Sequence, residues 1–84
     1  MQIVNRLGLH ARAAARFVHL ASTFESRITV SRDGTRVDGK SMLGLLTLAA
    51  AKGAHVVLAA SGADEDRAVA ALSELIAARF GEDS

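Results

Sequence analysis

Apolar and polar positions change period several times along the chain, and each change marks a new element. The opening Gln2-Ile3-Val4-Asn5 reads as a short strand, followed by a loop through Arg6-Leu7-Gly8-Leu9. From Ala11 to about Ala21 the spacing turns helical. Ala14, Phe17, Val18 and Ala21 form a buried stripe, with Arg12, Arg16 and His19 mostly off it. Ser26–Arg32 alternates, setting Ile28 and Val30 on one face and Arg27, Thr29 and Ser31 on the other. Asp33-Gly34 then separates this segment from Thr35-Arg36-Val37-Asp38 and predicts a tight hairpin, because both turn positions favour positive φ. Ser41 is the N-cap expected for a second helix over Met42–Ala51, closed near Lys52-Gly53. His55–Ala60 is β-rich and apolar and predicts a strand with little exposed area. After a turn at Ser61-Gly62, Asp64-Glu65-Asp66 place three acids where a helix dipole favours them. Val69, Leu72, Leu75, Ile76 and Phe80 supply that helix's core face, Gly81 stops it, and residues 82–84 read as a frayed end.

The resulting order is β-α-β-β-α-β-α. In 84 residues it leaves room for one antiparallel sheet with helices packed on one side. The expected fold is α+β, an open-faced β-sandwich of four strands with three helices on one face, in a single domain over residues 1–84. Half the residues are hydrophobic, but 17 of them are alanine, so the core is thin and offers no deep cavity for a large cofactor. The absence of cysteine removes disulfides, zinc knuckles, iron–sulfur ligation and thiol catalysis together. No apolar run approaches the ~20 residues of a membrane span, and no basic region precedes an apolar stretch at the start. A soluble cytoplasmic protein is the expectation.

The net charge of +1 hides an asymmetry. Residues 1–63 carry eight bases and three acids, hence +5, and residues 64–84 carry two bases and six acids, hence −4. The positive part suits an anionic partner or a phosphate. Nucleic acid is not expected, because Tyr and Trp are absent and three Phe cannot furnish stacking platforms.

The three histidines differ in position. His19 within a helix and His55 at a strand start are packed or surface residues, and no metal-ligand spacing links them to each other or to carboxylates. No metal is expected. His10 follows Gly8-Leu9 and immediately precedes the first helix, at or near the N-cap. Hydroxyl and amide side chains usually take that place, so imidazole is an unusual occupant. The positive helix end disfavours imidazolium and leaves a ring nitrogen free to attack an electrophile. The free amides of Ala11, Arg12 and Ala13 are placed to hold phosphate oxygens, and the Arg12 guanidinium adds bidentate geometry for a phosphoryl group. Nucleophile, anion hole and cation thus fall within four residues. The alternative is that His10 is an odd cap on a solvent-facing loop.

Gly8-Leu9-His10-Ala11-Arg12-Ala13-Ala14 resembles the active-site motif of the histidine-containing phosphocarrier (HPr) family of the phosphoenolpyruvate-dependent phosphotransferase system. Gly39-Lys40-Ser41-Met42-Leu43-Gly44-Leu45-Leu46 resembles the same family's regulatory-serine segment at the right separation. Ala51-Lys52-Gly53 before a strand, and Ser61-Gly62-Ala63-Asp64-Glu65 before the last helix, match as well, so the resemblance covers nearly the whole chain. It implies phosphorylation of His10 on Nδ1, with Arg12 contacting the phosphoryl group or the partner's active site. Ser41 matches a serine that an ATP-dependent HPr kinase phosphorylates in some bacteria, and the family's docking surface maps onto Ala15, Met42, Leu43 and Leu46. In two respects the chain departs from the pattern. Ala13 stands where the commonest motif has Pro, as in proteobacterial and nitrogen-type relatives, which points toward a regulatory branch. Nine residues precede His10, fewer than in most relatives, so the first strand is short or the true start lies upstream.

The implied function is a monomeric phosphoryl carrier without cofactor and not itself an enzyme. It would take the group from phospho-enzyme I and pass it to a sugar-permease component or regulatory acceptor. Helix two supports docking independently, because Met42, Leu43, Leu45, Leu46 and Leu48 make it apolar around more than one face. A small sheet covers only one of these, with Leu45 and Leu48 the expected core positions. The rival reading is a non-catalytic α+β interaction module docking through Met42–Leu46, with His10 incidental. A stand-alone hydrolase lacks a carboxylate paired with the motif and a pocket.

Overall fold

The computed structural model describes all 84 residues. Its elements are α1 (Ala11–Ala21), β1 (Arg27–Arg32), β2 (Thr35–Asp38), α2 (Met42–Thr47), β3 (Val57–Ser61) and α3 (Glu65–Ala77), followed by a 3-10 turn over Arg79–Gly81. Asp33 (φ 49°) and Gly34 (φ 84°) both take positive φ and close the β1–β2 hairpin in the register Thr29–Asp38 to Arg32–Thr35. β3 pairs antiparallel with the other edge of β1, from Arg27–Ser61 to Ser31–Val57, so the sheet order is β2-β1-β3.

Alternation decides which sheet face is covered. Ile28 and Val30 are buried, and their cross-strand neighbours Ala60, Leu58 and Val37 are half-buried on the same side. The helices lie there, α3 packing on β3, α2 on β2, and α1 against both helices. The opposite face, with Thr29, Asp38 and Val57, stays open to solvent. β3 therefore departs from the expected strand of little exposed area, since Val57 is 64% exposed. The core joins 16 buried apolar residues, and Ala13, Ala14, Ala21 and Ala68 have no exposed surface. Alanine here permits close approach of helix to helix and helix to sheet. No helix is long and apolar enough to cross a membrane.

Three expected boundaries move. The sheet has three strands rather than four, because the first segment pairs with the chain before β3 only through Met1–Ile3, around a single bridge from Gln2 to His55. Gly53 (φ 91°) turns the partner segment away immediately after its amide meets the Ile3 carbonyl, which ends that ladder. The second helix stops at Thr47 instead of Ala51. Leu48 caps it, Ala49 adopts φ 50°, and Arg32 from β1 donates to the Leu48 carbonyl at 2.9 Å, so the terminal carbonyl is satisfied by the sheet rather than by another turn. α3 ends at Ala77, and Phe80 reaches the core from the turn beyond it.

Asp64 sits at the start of α3, but its carboxylate does not cap that helix. It accepts from the Glu25 and Ser26 amides, each at 2.9 Å, and from the Ser26 hydroxyl, tying the segment before β1 to the helix. The Ser26 hydroxyl, then the Glu25 amide, hold this carboxyl down to about 2 from 3.8. A depressed folded-state value stabilises the fold above the unfolded value and loses that contribution as pH falls through the folded one. Asp64→Asn is therefore expected to be less stable than wild type near neutral pH, and the gap should close as pH falls from 3.8 towards about 2. Urea unfolding across that range checks it.

Candidate functional site

The site begins with a glycine that no other residue replaces without strain. Gly8 has φ 69°, and a Cβ there would lie 2.6 Å from the Ala50 carbonyl oxygen and 2.9 Å from Ala51 Cα. Leu9 then donates to the same Ala50 carbonyl at 2.8 Å and buries its side chain, which aims the next residue at the helix axis. That residue is His10, the N-cap of α1, in extended conformation (φ −79°, ψ 179°). Its main-chain carbonyl accepts from Ala14, and its ring Nδ1 accepts from the Arg12 amide at 3.3 Å. The imidazole is thus doing the work of a capping oxygen.

An amide can donate only to an unprotonated nitrogen, so the ring proton lies on Nε2. Nε2 is 2.5 Å from Glu82 Oε2, within donating distance. Glu82 is held in turn by Asn5, whose Nδ2 donates to Glu82 Oε1 at 2.6 Å and to the Gly8 carbonyl at 2.7 Å. Asn5 is fully buried, and its Oδ1 has no partner. Donation from Asn5, aided by His10 and Arg16 and opposed by partial desolvation, keeps the Glu82 carboxyl below its usual range.

The tail reaches this place through a left-handed turn. Arg79, Phe80 and Gly81 take φ of 58°, 54° and 81° in succession, reversing the chain after α3. Phe80 is the peg, with no exposed surface, and the Arg16 guanidinium on α1 donates to its carbonyl. Two consecutive non-glycine residues in this region cost roughly 1–3 kcal/mol each, which burial of the Phe80 ring offsets. Arg6, Arg12 and Arg16 line an open cleft beside the tail, facing Glu82 and Asp83.

The expected residues gather unevenly. His10 and Arg12 meet at the helix start. Arg12 is exposed, and its guanidinium has no intramolecular hydrogen bond or ion pair. Of the three expected amides, those of Ala11 and Arg12 belong to exposed residues, whereas Ala13 is fully buried and packs in the core. Ser41 caps α2, its Oγ accepting from Gly44 at 3.0 Å. Leu43 and Leu46 are exposed at 77% and 38%, Ala15 is exposed and Met42 half-buried, while Leu45 and Leu48 are core. His19 and His55 are exposed and away from the motif's contacts.

Sequence reasoning missed Asn5, Arg16 and Glu82. The expected frayed end is a correction: Glu82 is a fixed part of the site. Its signal in the sequence is slight, an acid just beyond an apolar residue and a glycine. Nothing local distinguishes that pattern from an ordinary helix stop. Phe80→Ala is expected to cost about 3–5 kcal/mol, as for other buried Phe truncations. It should also free the tail, so that the His10 Nε2 proton exchanges faster with water. Urea unfolding and solvent-exchange NMR check the two effects.

The family model described as PTS HPr component phosphorylation site matches residues 1–78. The phosphocarrier protein HPr of Neisseria meningitidis is 50% identical over 82 residues, which cover 98% of this chain and 92% of that one. Among solved structures, HPr-C-His from Thermoanaerobacter tengcongensis superimposes with a TM-score of 0.96 at 45% identity, covering 100% of this chain and 94% of that one. An HPr dimer from the same organism gives 0.83 at 46% identity, over 98% and 94%. The α+β arrangement of three helices on an antiparallel sheet is shared with these structures. The chain belongs to the HPr family, the phosphocarrier proteins of the phosphotransferase system.

Proposed function

We propose that His10 Nδ1 is the atom that carries the phosphoryl group, received from the phosphohistidine of enzyme I and passed to a downstream acceptor of the same system. The observation that carries this reading is the cap geometry, in which Nδ1 is unprotonated and faces the amide end of α1. In the transfer, Nδ1 attacks phosphorus in line as the donor's P–N bond breaks, and that electron pair returns to the donor imidazole. The Arg12 amide, released from Nδ1 when the new bond forms, turns its donor to a phosphoryl oxygen, and the Ala11 amide joins it. The unengaged Arg12 guanidinium supplies charge for the phosphoryl group or for the partner's active site. The Ala13 side chain packs in the core, and its amide, in the first turn of α1 and without an intramolecular acceptor, is the third donor of the anion site.

Docking falls to exposed Ala15, Leu43 and Leu46 with half-buried Met42 beside them. Such a contact is modest in area and short-lived, as a relay needs for release. Ser41 is the regulatory site for an ATP-dependent kinase. A phosphate on its Oγ would meet the Gly44 amide and set a dianion beside Leu43, weakening apolar docking. The carrier works as a single monomeric domain in the cytoplasm and needs no cofactor, since the donor brings the chemistry and no small substrate has to be enclosed.

Intact-mass measurement after incubation with phosphoenolpyruvate and enzyme I tests the relay. Wild type is expected to gain one acid-labile, base-stable phosphoryl group and His10→Ala none. No adduct on wild type with a demonstrably active enzyme I would overturn the reading. Leu43→Asp is expected to keep its stability, because the side chain is 77% exposed. It should raise the KM for enzyme I by roughly tenfold, the effect of losing about 1.4 kcal/mol at an interface anchor. Steady-state phosphorylation kinetics check it.

A further inference from the structure

We infer that Glu82 is a positioning residue for phosphoryl transfer: it occupies Nε2 of His10 and holds the ring proton there, leaving Nδ1 as the nitrogen that accepts the group. The inference rests on the carrier reading of His10 and adds a residue that the motif around it does not contain.

A ring capping a helix start through one long hydrogen bond, 3.3 Å from Arg12, is weakly oriented by that bond alone. A second contact on the far nitrogen restricts rotation about the ring axis. Glu82 Oε2 at 2.5 Å provides it. A carboxylate on one imidazole nitrogen selects the tautomer and steadies positive charge that develops when the other nitrogen attacks. That charge arises here as Nδ1–P forms and the donor's P–N bond breaks. The Nε2 proton stays between the ring and Oε2, and no further proton moves.

The contact is built rather than incidental. Both Nδ2 hydrogens of buried Asn5 are spent, on the Gly8 carbonyl and on Glu82, while its Oδ1 is left without a partner. Leaving a buried oxygen without a partner is unfavourable, so the orientation that serves the carboxylate is held against a penalty. Phe80 and Arg16 fix the turn that delivers the tail. Only 13% of the Glu82 side-chain surface remains exposed, which shields the Nε2 side of a ring that keeps 26% of its own.

Two donors separate this inference from the relay itself. Phosphoramidate phosphorylates imidazole directly, releasing ammonia, so the nitrogen it modifies is chosen by the chain and not by enzyme I. With wild type, 31P NMR is expected to show the Nδ1 adduct alone, and with Glu82→Ala an Nε2 adduct beside it. With phospho-enzyme I, the single-turnover rate is expected to fall roughly 10- to 100-fold in Glu82→Ala, the usual size of losing a group that orients a histidine. Glu82→Gln, which keeps an acceptor and loses the charge, should lie between Glu82→Ala and wild type. An exclusive Nδ1 adduct in Glu82→Ala together with wild-type transfer rates in both variants would overturn the role of Glu82, as would Nε2 modification of wild type. If enzyme I fails to phosphorylate wild type, the relay fails, and the phosphoramidate products still decide what Glu82 does.

Discussion

The side chain of Asn5 is the point on which the two ends of this chain converge. It is fully buried between the loop that presents His10 and the tail that follows α3, and its one amide group serves both. One hydrogen holds the Gly8 carbonyl, keeping the tight turn against Ala50 and Ala51. The other holds Glu82, a residue 77 positions away. A buried amide with both donors engaged and its oxygen unpaired cannot rotate without losing two bonds, and that rigidity passes to the histidine on each side.

His10 accordingly sits between opposed fields. The end of α1 presents free amides to Nδ1 and acts against a proton there, while the Glu82 carboxylate acts for a proton on Nε2. The two influences agree on one tautomer. The nitrogen left without a proton is the one that faces the amides at the start of α1. Arg12 stays unengaged in the cleft beside the tail, so a strong cation is available without first breaking an ion pair.

The same economy shapes the fold that supports the site. One sheet face is covered and one is open, so three strands suffice, and the first segment contributes only a bridge at the edge. Small residues do much of the packing. Ala13 and Ala14, with no exposed surface, let α1 lie close against its neighbours. α2 is short because Arg32 and the left-handed Ala49 end it, and Leu43 and Leu46 lie on its surface side.

Whatever depends on neighbours in sequence was legible without a structure. The Asp33-Gly34 hairpin, the α1 stripe, the Ser41 cap and the His10–Arg12 cluster each arise from contacts within a few residues, where periodicity and turn chemistry act directly. The core positions Leu45 and Leu48 and the exposed Leu43 follow from the same periodicity. Element ends were less legible, because Gly53, Arg32 and Ala49 end their elements through partners on other strands and helices. The role of Glu82 was not legible at all. An acid after a helix stop has the same local chemistry whether it frays or folds back, and only the burial of Phe80, the Arg16 clamp and the Asn5 amide bring it 2.5 Å from a ring 72 residues earlier. The sequence by itself determined the candidate histidine and its helix; tertiary structure decided which nitrogen is covered, because that depends on long-range packing that no local pattern encodes.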